Sequence, residues 1–149
     1  SIFQYLTNSY PKEVFAKGSC FLRKGIYDST VTLLKYKNGV EGHIFVSWLH
    51  PFKEHRLVVI GSEAMISFED SLDENRLKYY SKKFNLESGI PEKIDGPVRT
   101  ISFDKKMPLE VELEYFINHL EEKKPKIASI QNGLEVVKIL VAANNQILT

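Results

Sequence analysis

Trp48, His50, Lys53 and Arg56 fall within one short stretch, SWLHPFKEHR (residues 47–56), and each brings a different recognition chemistry. Trp48 offers a flat apolar ring with one N–H donor, suited to stacking on a sugar or a base. Lys53 and Arg56 can meet a carboxylate or phosphate, the guanidinium in bidentate fashion. His50 can donate to a hydroxyl, and Pro51 fixes a bend that would turn these groups toward one mouth. On chemistry alone, a core tryptophan followed by a solvated basic turn is the simpler account.

Other sources of chemistry fall away on spacing. His43, His50 and His55 are close in sequence, but no carboxylate or cysteine stands at ligand spacing beside them. An HxxxxH pair around a proline is not a helical pair either, so no metal is expected. Ser47, Ser62 and Ser67 fall on strands or a turn, without the glycines of a nucleophile elbow. Cys20, in an apolar stretch, is expected as a small buried hydrophobe and not as a reactive thiolate. The glycines at 18, 25, 39, 42, 61, 89, 96 and 133 are isolated, so neither a dinucleotide fingerprint nor a P-loop can be drawn. Glu110, Glu112, Glu114, Glu121 and Glu122 form the wet side of a helix.

The elements that position the first stretch are read from periodicity. Ile2, Phe3 and Leu6 recur at helical spacing until Pro11 forbids continuation. The chain opens without methionine, so this reads as the end of a helix cut from a larger protein; a trimmed terminus is the alternative. EVFAKGSCFL is one strand. STVTLLKY alternates with the period of two that half-buried strands show. Asn38-Gly39 then predicts a tight hairpin with positive φ at both residues, EGHIFVSWL returning as the partner strand. Gly61-Ser62 separates HRLVVI from AMISFE in a second hairpin. LKYYSKKF and VRTISF are further strands, and NLESGIPEKIDGP between them is a loop or an excursion at the sheet edge.

After Asp104 the period becomes helical. Leu109, Leu113, Phe116, Ile117 and Leu120 share a face in a helix that Pro108 opens. Lys123 and Lys124 are expected in its last turn, with Pro125 as the stop. Ser129 caps a second helix, whose Leu134, Val136, Val137, Leu140, Val141 and Ile147 predict that it is largely buried. The fold class is therefore α+β: a mostly antiparallel open sheet of about six or seven strands with helices on one face.

Two helices cannot cover both faces of such a sheet, so at least a dimer packed sheet to sheet about a twofold axis is expected. Either Val46 and Trp48, or His43 and Phe45 on the opposite face, would lie in that contact. With 20 Lys and Arg against 19 Asp and Glu, nothing global draws the chain to nucleic acid or an acidic membrane. No apolar run approaches the roughly 20 residues that span a bilayer. A lone cysteine suits a reducing cytoplasm.

The run DSTVTLLKYKNGVEGHIFVSWLHPFKEHRLVVIGSEAMISFED (residues 28–70), with PLEVELEYFINHL and NGLEVVKILVAANNQI after it, resembles the C-terminal domain of the Gfo/Idh/MocA oxidoreductase family. The likeness lies in an aspartate before a Thr/Val-alternating strand, an Asn-Gly hairpin, an aromatic strand, a strand ending in Gly, and two closing helices. The SWLHPFK version is similar to the branch acting on UDP-sugars, such as UDP-N-acetylglucosaminuronate or UDP-N-acetylglucosamine 3-dehydrogenases.

The resemblance implies a substrate-binding and oligomerisation domain over residues 1–149, with a Rossmann domain binding NAD or NADP outside this chain. It places Trp48, His50, Lys53 and Arg56 near a sugar or UDP-sugar. The family's catalytic lysine and histidine have no match here, so no catalytic residue is assigned and the chain alone is expected to bind no cofactor. The family's last helix also commonly has a serine near its end, where this chain reads AANNQ. A ligand-binding or dimerisation module without redox function is the alternative, and elimination or isomerisation through transient oxidation is a third.

Overall fold

Residues 2–85, 89–104, 106–121 and 124–148 are described by a computed structural model. The chain divides into two compact units, Ser1–His50 with Pro108–Thr149, and Pro51–Met107.

In the first unit, β1 (Glu13–Ser19), β2 (Ser29–Lys35) and β3 (Glu41–Ser47) form an antiparallel sheet in that order. Its register sets Phe15, Leu33 and His43 in one cross-strand row and Lys17, Val31 and Phe45 in the next. The pleat puts both rows on one face and Ala16, Leu34, Gly18, Gly42, Ile44 and Val46 on the other.

Both terminal helices lie on that second face. A Cβ on Gly18 would meet Ile147 of α3 (Ile130–Leu148), and one on Gly42 would strike the Phe3 ring of α1 (Ile2–Thr7). Gln4 Nε2 donates to Glu135 Oε2 at 2.7 Å and ties the two helices. Leu34, 2% exposed, centres the small core with Ala16, Tyr36 and Ala143. The opposite face, with Phe15, Val31, Leu33 and Phe45, is exposed.

Several local expectations are met. The β2–β3 hairpin forms, Ser129 caps α3 by accepting from Asn132 N at 3.2 Å, and Asn132 Oδ1 returns the contact to Ser129 N at 3.1 Å. The hairpin turn is not type I′, however. Gly39 alone has positive φ (83°), while the Asn38 side chain accepts from Val40 N at 3.2 Å. One left-handed glycine after an ordinary turn closes this longer loop, so Asn38 need not adopt positive φ.

Three expectations are corrected. Cys20 is exposed, because β1 ends at Ser19 and the chain turns away. Helix α2 (Pro108–Ile117) ends well before Lys124 and Pro125, its last carbonyls taken up by tightened turns at His119 and Leu120. Glu122 and Lys123 lie outside the described residues. Helix α3 is not largely buried: Ala143 is its only buried described residue, and Leu134, Val137, Leu140 and Val141 are exposed. Its apolar surface is wider than the one sheet face it meets.

The second unit is built from strands without a helix among its described residues. Its strands β4 (Arg56–Ile60), β5 (Met65–Glu69), β6 (Leu77–Tyr80) and β9 (Val98–Thr100) form an antiparallel sheet in that order. Residues Gly61–Ala64 turn β4 into β5, with Gly61 N donating to Ala64 O at 2.9 Å. The expected edge excursion is a separate ribbon, β7 (Lys83–Asn85) paired with β8 (Glu92–Ile94). The antiparallel α+β class is thus observed, its strands shared among three sheets.

Candidate functional site

Trp48 stands where β3 ends and the chain enters a turn. Its backbone N–H donates to Asp28 O at 2.8 Å, and Ser47 Oγ accepts from Leu49 N at 3.1 Å. The indole itself is 83% exposed, which removes the core tryptophan that chemistry alone favoured. His50 follows, also exposed.

Asp28 holds this strand end in place, and the sequence reading gave it no role. The residue is 4% exposed, and its Oδ2 accepts from Phe21 N at 2.7 Å and Leu22 N at 2.8 Å. Its own N–H donates to Ser19 O at 3.0 Å. One aspartate therefore fixes the 20–27 loop, the start of β2 and the backbone of Trp48. Backbone donors replace the water of Oδ2, while Oδ1 is buried without a hydrogen-bond partner among the described residues. The signal available in sequence was an aspartate placed immediately before a strand, after a basic turn.

Lys53 and Arg56 open the second unit, so the four residues expected together are shared between the two units. Lys53 is exposed and has no ion pair among the described residues. Arg56 begins β4 and pairs through Nη2 with Glu54 Oε1 at 2.9 Å, with Glu69 opposite it in the β5 register. The pair with Glu54 leaves the Arg56 side chain 55% exposed, which suits recognition of an incoming anion.

The described residues offer no group of three His, Cys, Asp or Glu that could hold a metal ion. No helix among them is long and apolar enough to cross a membrane.

Comparison with known proteins agrees with this architecture. Residues 1–67 match the family model for the GFO/IDH/MocA C-terminal domain, a segment that contains Asp28, Trp48, His50, Lys53 and Arg56. No curated protein is matched by sequence. Among solved structures, UDP-N-acetylglucosamine 3-dehydrogenase GnnA from Acidithiobacillus ferrooxidans is similar over 98% of this chain, with TM-score 0.74 and 20% identity. A "putative oxidoreductase" from Magnetospirillum magnetotacticum MS-1 is similar over 95%, with TM-score 0.73 and 21% identity. The chain spans 45% and 44% of the lengths of those two proteins. The family resemblance read from the sequence is borne out, and these similarities establish the fold.

Proposed function

We propose that this chain is the substrate-binding and assembly domain of an NAD(P)-dependent oxidoreductase acting on a nucleotide sugar. Hydride would pass between a sugar ring carbon and a nicotinamide held by a Rossmann domain outside these residues. The observation that carries the reading is Trp48, 83% exposed within the segment that matches the family. Leaving so large an apolar ring in water forgoes about 1.5–3 kcal/mol of burial, a sacrifice that makes sense if a ligand covers it. Lys53 and Arg56, in the same segment, supply charge for an anionic substrate, and His50 a donor.

The residues of this chain do not fit the dinucleotide. No strand–GxGxxG–helix unit can be drawn through its glycines, and the start of α3 is satisfied by its own Ser129–Asn132 cap. The cofactor is therefore held by other residues. The open face of β1–β3 serves homo-oligomer assembly, and the setting is the cytoplasm.

Incubating the full-length protein with NAD+ or NADP+ and UDP-N-acetylglucosamine or its uronate, and following nicotinamide absorbance, tests the reading. Arg56→Ala or Lys53→Ala should raise KM for the nucleotide sugar roughly ten- to hundredfold, with little change for the cofactor. Absence of turnover with every nucleotide sugar and both cofactors would leave the second reading, a binding or dimerisation module without redox function. The open apolar face favours that reading independently, because it needs a cover whether or not chemistry is done.

A further inference from the structure

The strand sequence RLKYY (residues 76–80) alternates polar and apolar side chains, and the register of its neighbours shows what the polar ones meet. Lys78 sits opposite Ser67 of β5 on one side and Thr100 of β9 on the other, and Ser67 in turn opposes Val58. Tyr80 opposes Met65, and its hydroxyl lies 3.3 Å from Ser67 Oγ. The pleat therefore gathers Arg56, Ser67, Lys78 and Tyr80 on one face, with Arg76 at its end. They line a cleft of about 300 Å3, at the lower end of small-molecule sites.

The charge of this cleft is unbalanced. Four cations line it, Arg56, Arg76, Lys78 and Lys82, against one carboxylate, Glu69. Three of the four have outward partners: Arg56 with Glu54 at 2.9 Å, Arg76 with Asp70 at 3.2 Å, and Lys82 with Asp95 at 3.2 Å. Such solvent-facing pairs are weak and yield to a better anion. Lys78 is half-buried and has no ion pair among the described residues. A partly desolvated ammonium with hydroxyls beside it is stabilised when an anion replaces its lost water.

Resting on the nucleotide-sugar reading, we infer that this cleft is a diphosphate site, taking the two linked phosphates of a nucleoside diphosphate between Lys78 and the Arg56/Arg76 end. Cations two residues apart on a strand stand about 7 Å apart, a spacing that straddles two linked phosphates. The Ser67 and Tyr80 hydroxyls donate to the remaining oxygens, and Val58 and Met65 give the adjoining group an apolar wall.

Isothermal titration of the full-length protein with inorganic pyrophosphate, UDP and NADH tests the assignment. Lys78→Gln and Arg76→Gln should each weaken pyrophosphate and UDP roughly tenfold or more, Lys78→Arg should retain most of the affinity, and NADH binding should not move. Unchanged urea midpoints in the glutamine variants would confirm that the loss is local. Pyrophosphate affinity equal to wild type in both glutamine variants, or no pyrophosphate binding at all, overturns the cleft even if the enzyme oxidises a nucleotide sugar. Pyrophosphate binding that depends on Lys78, in a protein that turns over no nucleotide sugar, upholds the cleft and refutes the substrate reading instead.

Discussion

The two units use the same device, antiparallel hairpins with alternating side chains, and expose opposite chemistry by it. In the first, alternation places Phe15, Val31, Leu33 and Phe45 on the face that the helices do not cover. In the second, it places Arg56, Ser67, Lys78 and Tyr80 on one face of a sheet that has no helix among its described residues. An exposed apolar face gains by excluding water, which any complementary apolar surface can do. A cationic face gains from a ligand that neutralises it and replaces the water its partly buried ammonium has lost. The first is suited to assembly and the second to recognition, and each of the following changes should affect one of them.

The largest effect is expected at Asp28. Replacing it with Ala removes the acceptor shared by Phe21 N and Leu22 N and frees the loop before β2, while the backbone bond from Trp48 N to residue 28 O is kept. Two charge-assisted hydrogen bonds correspond to about 3 kcal/mol or more. A urea denaturation curve should show the loss, and Asp28→Asn, which keeps an acceptor oxygen, should recover part of it. If the alanine variant matches wild type, the loop is held by something other than this carboxylate.

Next in size is the helix-covered face itself. A Cβ on Gly42 would lie 2.6 Å from the Phe3 ring, so Gly42→Val should displace α1 and cost about 1–3 kcal/mol. Gly39→Ala tests the neighbouring turn, where space is open but φ is positive; there the loss should be nearer 1 kcal/mol. Thermal midpoints that fall equally in both variants would mean that α1 packs loosely and only the hairpin matters.

On the open face of the first unit, Phe45 is 62% exposed and ends, on the edge strand β3, the cross-strand row that Val31 centres. If two copies pack there, Phe45→Glu should weaken association roughly ten- to hundredfold, as expected for removing about 1.5–3 kcal/mol of buried aromatic surface. Sedimentation equilibrium reads this directly. Val46→Glu should not mimic it, since Val46 lies on the helix side of β3. A monomeric wild type would show that the face is covered by something other than a second copy.

How much of this was legible beforehand depended on how local the cause was. The β2–β3 hairpin and the Ser129 cap are set by residues a few positions apart, and both could be read directly. The exposure of Trp48 could not: alternation alone would put it with Val46 on the helix side of β3, but the strand ends at Ser47 and Trp48 begins the turn that follows. Which face the helices take is likewise set at a distance, by Gly18 and Gly42, whose missing side chains admit Ile147 and Phe3 from opposite ends of the chain. The cleft was hidden for the same reason. Val58, Ser67, Lys78 and Thr100 form one row only after three registers are fixed. Arg56 was identified because it carries charge next to a tryptophan, whereas Lys78 looked like an ordinary strand residue.

The smallest effects should separate the units by pH. Tyr36, 5% exposed in the first unit, has its hydroxyl pushed above the ordinary value of 10.0 by burial, with the Thr7 hydroxyl acting the other way. The unfolded chain therefore ionises first, so this contribution is intact below pH 10.0 and is lost as pH rises through the native value. In the second unit, Asp95 is held below its ordinary 3.8 by hydrogen bonds from Lys93 and Lys82. Its contribution is present above pH 3.8 and disappears as pH falls through the native value. Being a solvated surface group, it should add only a shallow acid limb that salt weakens further. Urea midpoints across the full pH range should lose the alkaline limb in Tyr36→Phe and the acid limb in Asp95→Asn, each variant leaving the other limb intact. A Tyr36→Phe variant with an unchanged alkaline slope would move the cause to another tyrosine.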